Sequence, residues 1–363
     1  MKDSFSGATN MNGNTSVIIP ARDEEPNIEG AVRSVAAQEC VREIIVVDDQ
    51  SSDRTPEILA AMVTQFPQLR VLRIESLPAG WLGKTHAAAE GAKLATGDWL
   101  LFTDADTRHF PGSLDALLAR ARSEGADLLS ISPGQEVETW WEKAVIPLVY
   151  VELAGLFRFE DVNDPHSPAA AANGQYILIR RSTYDAVGGW EAVRGSVLDD
   201  VALARRVKDS GAKILFLPGG AWAKTRMYRR FAGMWRGWTK NLFLLYGSDR
   251  TKIVTTVLRL FVLVFLPDAL LVIFAAIFVV LLSTGAKAWI AAAAVVASAL
   301  AVYAGFRCYR RELERLGFSG NLAKYLPIGA VLLGLILLNS LWAWRQGGGI
   351  EWKGRIYPVK GAL

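Results

Sequence analysis

Up to about Pro133 the chain alternates between two hydrophobic rhythms. Short runs rich in β-branched residues, such as Thr15–Ala21 (TSVIIPA) and Glu43–Asp48 (EIIVVD), read as strands, because Val and Ile pack well on a pleated surface. Leu69–Glu75, Asp98–Thr103 and Asp127–Ser132 read the same way. Between them, apolar positions take helical spacing near Asn27–Gln38, Pro56–Phe66, Thr85–Leu94 and Gly112–Ser123. This alternation predicts an α/β fold, a mostly parallel sheet with helices on both faces. In such sheets ligands bind beyond the carboxyl ends of the strands.

The second half has a different texture. Glu136–Phe159 (EVETWWEKAVIPLVYVELAGLFRF) is aromatic-rich and too interrupted by charge to span a bilayer, which leaves a core helix or an interfacial one. Asn163–Leu217 is mixed and globular. Arg226–Tyr246 then sets Arg229, Arg230, Arg236 and Lys240 among Trp235 and Trp238, the pairing a helix at headgroup level needs. Three apolar segments follow, about Thr255–Ser283, Ala288–Phe306 and Tyr325–Trp344, each long enough to cross roughly 30 Å of hydrocarbon. Asp268 lies inside the first and costs roughly 2.5–3.5 kcal/mol at a helix centre, which the surrounding Leu, Ile, Phe and Val residues outweigh. The expected division is a flexible start (1–15), a globular domain (16–225), an interfacial segment (226–250), about three membrane helices (251–345) and a basic tail (346–363).

Composition agrees with that division. Hydrophobic residues make up 51% of the 363 and charged residues 21%, which excludes a disordered chain and disfavours a wholly soluble one. The net charge of +4 hides an asymmetry: residues 1–250 hold 28 Lys and Arg against 32 Asp and Glu, and the remainder hold 12 against 4. Basic charge beside apolar segments suits an anionic membrane surface, and no basic aromatic face marks the first half, so nucleic acid is not an expected partner. Cys40 and Cys308 are too far apart in sequence for a paired-cysteine motif and exclude a disulfide scaffold. With no apolar leader in MKDSFSGATNMNGNT, the first domain is expected in the cytosol, anchored to the cell (inner) membrane by several passes. Arg307, Arg310, Arg311 and Arg315 favour the same side, yet three crossings would put the basic tail outside. Either the tail is an exception or the Pro267–Asp268 segment re-enters.

The carboxylates carry the chemistry. Asp48 and Asp49 end the second strand in VVDDQSSDRT, Asp104 and Asp106 end a later one in LLFTDADTRH, and Asp199 and Asp200 open a helix in SVLDDVALARRV. A doubly wound sheet would bring these pairs to one edge, where like charges repel and call for a cation or a hydrogen-bonding ligand. A divalent ion held by one or two carboxylates and by substrate phosphates meets that need. Lys84, in GWLGKTHAA, adds a cation at a helix start whose free N–H groups suit a diphosphate. His86, His109 and His166 form no ligand spacing.

VIIPARDEEPNI, VVDDQSSDRT, the DxD of FTDAD and LDDVALA together resemble the family 2 nucleotide-sugar glycosyltransferases, with a GT-A fold. GWLGKTHAA, VNDPHSPAAAANGQYILIRR and EWKGRIY are similar to its membrane-anchored branch, which includes hopanoid-associated and carotenoid glycosyltransferases. The resemblance runs from Ser16 over nearly the whole chain with order and spacing kept. It implies an inverting, metal-dependent transfer from a UDP-sugar to the hydroxyl of a membrane lipid.

Residue by residue, it implies that Pro20, Ala21, Arg22 and Glu24, with Asp48 or Asp49, hold the nucleoside. Asp104 and Asp106 then straddle the ribose and Mg2+ or Mn2+, with Asp106 the more direct ligand, and Lys84 meets the diphosphate. Asn173, Gly174 and Gln175 lie near the donor sugar, and Asp200 is the general base. The chain departs from the family pattern in two places. Asp199 stands where a Glu is usual. No residue set around Arg230–Trp238 (RFAGMWRGW) fits the QxxRW of processive members, although Arg236 and Trp238 offer a cation for the diphosphate and an aromatic floor for the acceptor. Trp190, after Gly188 and Gly189, is either a sugar-stacking aromatic or a buried structural one. A polyprenyl-phosphate sugar transferase, or a nucleotide-sugar-binding membrane protein without catalysis, are the rival readings.

Overall fold

The computed structural model describes residues 14–284, 287–345, 350–352 and 355–357. Most of the expected flexible start and basic tail, Lys353 and Lys360 included, lie outside the described residues. In chain order the elements are β1 (Thr15–Ala21), α1 (Ile28–Ala36), β2 (Val41–Asp48), α2 (Thr55–Val63), β3 (Leu69–Arg73), α3 (Gly83–Leu94), β4 (Trp99–Thr103) and β5 (Thr107–His109). There follow α4 (Ser113–Ser123), β6 (Leu128–Gln135), α5 (Trp140–Leu156), α6 (Phe159–Asn163), β7 (Tyr176–Arg180), α7 (Arg181–Ala186), α8 (Asp199–Asp209) and β8 (Ile214–Thr225). The chain closes with α9 (Phe231–Leu245), α10 (Arg250–Ser283), α11 (Trp289–Arg315), α12 (Leu326–Arg345) and a small antiparallel pair, β9 (Ile350–Trp352) and β10 (Arg355–Tyr357).

Two compact units result. One takes the chain up to Glu136 with Phe157–Met227, and the other takes Val137–Leu156 with the chain from Tyr228 onward. In the first, eight strands form one sheet in the order β3-β2-β1-β4-β7-β6-β8-β5. β3, β2, β1 and β4 run parallel, as do β6 and β8, whereas β7 opposes both its neighbours and β5 opposes β8. The mostly parallel sheet expected from the alternation is therefore present, with two reversed strands inserted. Both reversed strands are short, and in the sequence YILIR and TRH carry too few residues for their period to be read.

The period of two along the strands explains the helices on both faces. Val17, Ile19, Ile44, Val46 and Leu101 pack in one core with Val32, Leu59 and Leu117 of α1, α2 and α4. Their strand neighbours Ile18, Ile45, Val47, Leu100 and Phe102 pack in the other with Ala88 of α3 and Leu203 of α8. Burying each such aliphatic side chain contributes about 1.5–3 kcal/mol, so a register slip of one residue is strongly opposed. Trp190 belongs to the second core: it is 3% exposed and meets Phe102 edge-to-face at 5.1 Å. Gly189 before it has φ 50°, and a Cβ there would lie 2.4 Å from the Tyr184 ring, so only glycine admits the turn.

In the second unit α9 lies along α12. Ser340 Oγ donates to the Thr239 carbonyl at 2.6 Å, Asn339 Nδ2 to Thr239 Oγ1 at 3.0 Å, and Trp344 Nε1 to the Lys240 carbonyl at 3.2 Å. Glu152 of α5 is an acceptor for Tyr246 Oη at 3.2 Å and pairs with Arg259 of α10. Arg250–Ser283, Trp289–Arg315 and Gly320–Arg345 are long and apolar enough to cross a membrane. Their outer faces leave Phe261, Leu263, Val272, Val279 and Leu300 exposed, which hydrocarbon tolerates and water does not. α10 runs unbroken through Pro267 and Asp268, where a re-entrant turn would have to interrupt it.

Candidate active site

Register places the carboxyl ends of β1, β2 and β4 side by side. Ala21 is opposite Asp48, and Ile18 is opposite Phe102, so Asp104 emerges at the same edge. Two loops at this edge are laced together. Asp23 N–H donates to Ser51 Oγ at 2.9 Å, Ser52 N–H to Asp23 Oδ1 at 2.7 Å, Glu24 N–H to Thr55 Oγ1 at 2.8 Å, and Glu25 N–H to Asp53 Oδ2 at 2.9 Å. Asp23, within these bonds, has φ 51°, a left-handed conformation that Asp accepts readily, and Gln50, whose carbonyl faces Arg22 Nη1 at 3.4 Å, has φ 58°. Arg22 Nη1 donates to the Asp49 carbonyl at 2.6 Å, and Asp49 N–H to the Ala21 carbonyl at 2.8 Å.

Asp48 and Asp49 are buried, at 1% and 2% exposure. Both Asp48 oxygens are engaged: Oδ1 accepts from Ser51 N–H at 3.0 Å and Oδ2 meets Arg73 Nη1 at 3.0 Å. The resemblance implies a nucleoside role for Asp48 or Asp49; the Arg73 partnership is additional, because that strand residue meets Asp48 through a pairing only the parallel register reveals.

A second cluster forms where β4, α3 and α8 meet. Lys84 Nζ, in the first turn of α3, lies 2.5 Å from Asp104 Oδ1. Asp199 and Asp200 occupy the first turn of α8, where the helix dipole favours negative charge. Thr85 Oγ1 donates to Asp199 Oδ2 at 3.1 Å. Asp200 accepts from Gly174 N–H on Oδ2 and from Val201 N–H on Oδ1, both at 2.8 Å. Gly174 is held by the turn around it: Asn173 N–H donates to Ser130 Oγ at 2.8 Å and Gln175 N–H to Asn173 Oδ1 at 3.0 Å, while the Gln175 carbonyl accepts from Thr103 Oγ1 at 2.8 Å. A Cβ on Gly174 would lie 3.1 Å from Lys84 Nζ and 3.3 Å from Asp200 Oδ2, so this position must stay small.

The electrostatics show a shortage of cations. Enclosure by protein and then the charge of Asp199 push Asp200 up to about 6, against the opposing pull of Lys84. Enclosure, Asp104 and Glu24 push Asp106 up to about 7. Asp104 is raised as well, by enclosure first, with Lys84 opposing and Asp199 and Glu24 adding. For Lys84, enclosure lowers the pKa, but Asp104, Asp199 and Asp200 outweigh it and hold the ammonium firmly charged.

Asp106 Oδ1 is buried without a hydrogen bond of ordinary geometry, and the neighbouring Thr225 hydroxyl, likewise without one, only partly opposes the rise in its pKa. Among the described residues no three His, Cys, Asp or Glu side chains converge into a ready-made metal site. A magnesium-like ion asks less of the protein, one or two carboxylates with the rest from water and phosphate, so Asp106 and Asp104 fit it.

The structure thus brings Glu24, Lys84, Asp104, Asp106, Gly174, Asp199 and Asp200 into electrostatic or hydrogen-bond reach of one another. Pro20, Ala21, Arg22, Asp48 and Asp49 belong to the laced loops and strand ends beside it. Arg236 and Trp238 lie on α9 of the helical unit, Arg236 exposed and Trp238 3% exposed beside the Tyr228 ring. Thr85 was not foreseen, although a hydroxyl immediately after Lys84 at a helix start was the available signal.

Residues 16–188 match the profile described as Glycosyl transferase family 2. That segment, a little under half of the chain, reads as a family 2 glycosyltransferase domain. The 4,4'-diaponeurosporenoate glycosyltransferase of Staphylococcus aureus strain USA300 is 25% identical over 244 residues, 66% of this chain and 64% of that protein. The protein of the same description in strain MRSA252 is 26% identical over the same shares. The chain therefore spans a little under two thirds of the length of these relatives. The mannosyltransferase PcManGT from Pyrobaculum calidifontis, solved with GDP-Man and Mn2+, matches over 89% of this chain and 87% of its own, with a TM-score of 0.50 at 20% identity. The fold of the family 2 domain is GT-A, as the resemblance implied.

Proposed function

We propose that this chain is an inverting glycosyltransferase that moves a sugar from a UDP-sugar to the hydroxyl of a membrane lipid of the carotenoid or hopanoid type. The observation that carries the reading is the cluster in which Lys84 and Gly174 N–H hold Asp104 and Asp200 at the carboxyl edge of the sheet. The acceptor oxygen attacks the anomeric carbon as the bond from that carbon to the phosphate oxygen breaks. The bonding pair leaves with UDP, and Asp200 takes the hydroxyl proton. A carboxylate raised to about 6 is still mostly ionised at neutral pH and is a stronger base than a free aspartate. The Gly174 and Val201 N–H groups fix its orientation. Lys84 offsets charge gathering on the departing diphosphate. Asp106 and Asp104 would hold Mg2+ or Mn2+, which supplies further offsetting charge at the diphosphate.

Asp49, Arg22 and Glu24 are assigned to the nucleoside and Asn173 and Gln175 to the surroundings of the sugar, on the strength of the family resemblance. The three apolar helices anchor the catalytic domain on the cytosolic side of the membrane, and α9 lies at headgroup level. The similarity to the diaponeurosporenoate glycosyltransferases favours a carotenoid-like acceptor.

The test is nucleotide release by detergent-solubilised protein with Mn2+ and a panel of nucleotide sugars, with and without membrane lipid. Lipid-stimulated UDP release, abolished by EDTA and in Asp106→Ala, is expected. Release of GDP alone would overturn the nucleoside assignment, and release independent of lipid would overturn the acceptor.

A further inference from the structure

We propose that a cavity beside α8, apart from the cluster described above, is a second anion site that takes a phosphate-type oxyanion. It is an open depression with a volume of about 530 Å3, and its three arginines are exposed to solvent. Arg194, Arg205 and Arg206 line it with one carboxylate, Glu191, and Val193 and Ala202 supply apolar wall.

Elsewhere in this unit Arg33, Arg54, Arg70, Arg73, Arg120 and Arg180 each meet a carboxylate. Among the described residues none of the three cavity arginines does; isolated Arg42 and Arg122 do not either, but only here do three such side chains lie together. Two of them are anchored at one point only: Arg206 Nε donates to the Val187 carbonyl at 2.8 Å, and Arg205 Nη1 donates to the Pro168 carbonyl. The rest of each fork remains for a ligand, and planar forks match the oxygens of phosphate. Three positive charges around a hollow that offers a single carboxylate, Glu191, leave a net positive field, and an oxyanion offsets it. The apolar wall suits an organic substituent on the phosphate.

The cavity is close to the reaction centre without sharing its side chains. The Arg194 carbonyl accepts from Leu82 N–H at 3.0 Å, two residues before Lys84, and Ala202 follows Asp200 by two. A phosphate-bearing lipid headgroup and free phosphate offer the same chemistry, and the experiment separates them.

Full-length protein in detergent, without nucleotide sugar, is treated with phenylglyoxal, and modification of each arginine is followed by peptide mass spectrometry. Exposed Arg42 is the reference. The probes are inorganic phosphate and a short-chain phosphatidylglycerol below its micellar concentration. Slowing at Arg194, Arg205 and Arg206 but not at Arg42 is expected. Protection by phosphate names the free ion, and protection by the lipid alone names the headgroup.

Arg194→Ala should raise the probe concentration needed to protect Arg205 and Arg206 about tenfold, the effect of one charge-assisted hydrogen bond. Arg194→Lys should recover part of it, which a merely unfolded variant would not. Protection by neither probe, equal slowing at Arg42, or unchanged protection in Arg194→Ala would overturn the site. Protection of the three arginines by UDP would show that they belong to the donor site instead, which also overturns it. None of these readouts depends on sugar transfer.

Discussion

The two acidic regions at the carboxyl edge of the sheet differ in how their charge is met. Asp48 is closed off, with one oxygen on a backbone N–H and the other on Arg73. Asp104, Asp106, Asp199 and Asp200 share one lysine, and Asp106 keeps a buried oxygen without a hydrogen bond of ordinary geometry. The first arrangement is complete in the protein alone and fixes the shape of the loops. The second is satisfied only in part, and in the proposed transfer it is completed by cations and protons that arrive with the substrate. A carboxylate whose needs are met inside the protein shapes a site. One left in deficit does chemistry there.

The largest effect expected from breaking this contrast is on rate. Asp200→Asn keeps the size of the side chain and one acceptor for the N–H groups but removes the base. Sugar transfer should fall at least about 10²-fold with donor binding, measured by UDP titration, nearly unchanged. A variant of full activity would favour the polyprenyl-phosphate rival, whose acceptor phosphate needs no base.

The same carboxylate sets a pH dependence. Its pKa is raised to about 6 in the metal-free protein and a bound cation would lower it, so kcat/KM at saturating Mn2+ should be flat near pH 8 and fall on the acid side at or below about pH 6. The limiting slope is about tenfold per pH unit on the acid side, as one required deprotonation demands. A profile that falls toward high pH instead would remove Asp200 as a base.

Stability should separate the two regions in opposite directions. A carboxylate whose folded pKa lies above its unfolded value favours the folded state at low pH and loses that contribution as pH rises through the folded value. For Asp106 the window runs from about 4 to about 7. Asp106→Asn should therefore raise the unfolding midpoint of the metal-free protein at pH 7.5, by about 1–2 kcal/mol in stability. Asp48→Asn, which leaves Arg73 without its partner charge, should lower it by a similar amount. Mn2+ should stabilise the unmodified protein more at pH 7.5 than at pH 5 and should do little for Asp106→Asn. If both substitutions shift the midpoint the same way, the contrast between satisfied and deficient charge is wrong.

Much of this was legible in the residues themselves. The strands that carry the site, TSVIIPA and EIIVVD, announce themselves because both faces are buried and β-branched residues fill them. The acidic pairs follow directly at strand ends and a helix start, so their convergence needed only the rule about carboxyl edges. What pattern could not supply was pairing across the sheet. β7 enters between β4 and β6 in reverse, and nothing in YILIR says so. The partnership of Arg73 with Asp48 follows from register, and that of Thr85 with Asp199 from packing of α3 beside α8. Charge deficit is likewise a property of the assembled site, since it depends on how many carboxylates share Lys84.

Gly174 offers the finest test, because it touches both members of the pair that performs the proposed transfer. A Cβ there would stand 3.1 Å from Lys84 Nζ and 3.3 Å from Asp200 Oδ2, tighter than ordinary contact but short of a hard clash. Lys84 can yield, since its ammonium ends a flexible chain. Asp200 yields less, because Val201 N–H holds its other oxygen at 2.8 Å. Gly174→Ala should thus move Lys84 more than the base, lowering kcat about threefold to tenfold while the pH profile keeps its position. Should the profile itself shift, the methyl has displaced Asp200, and the lysine is then the more firmly held of the two.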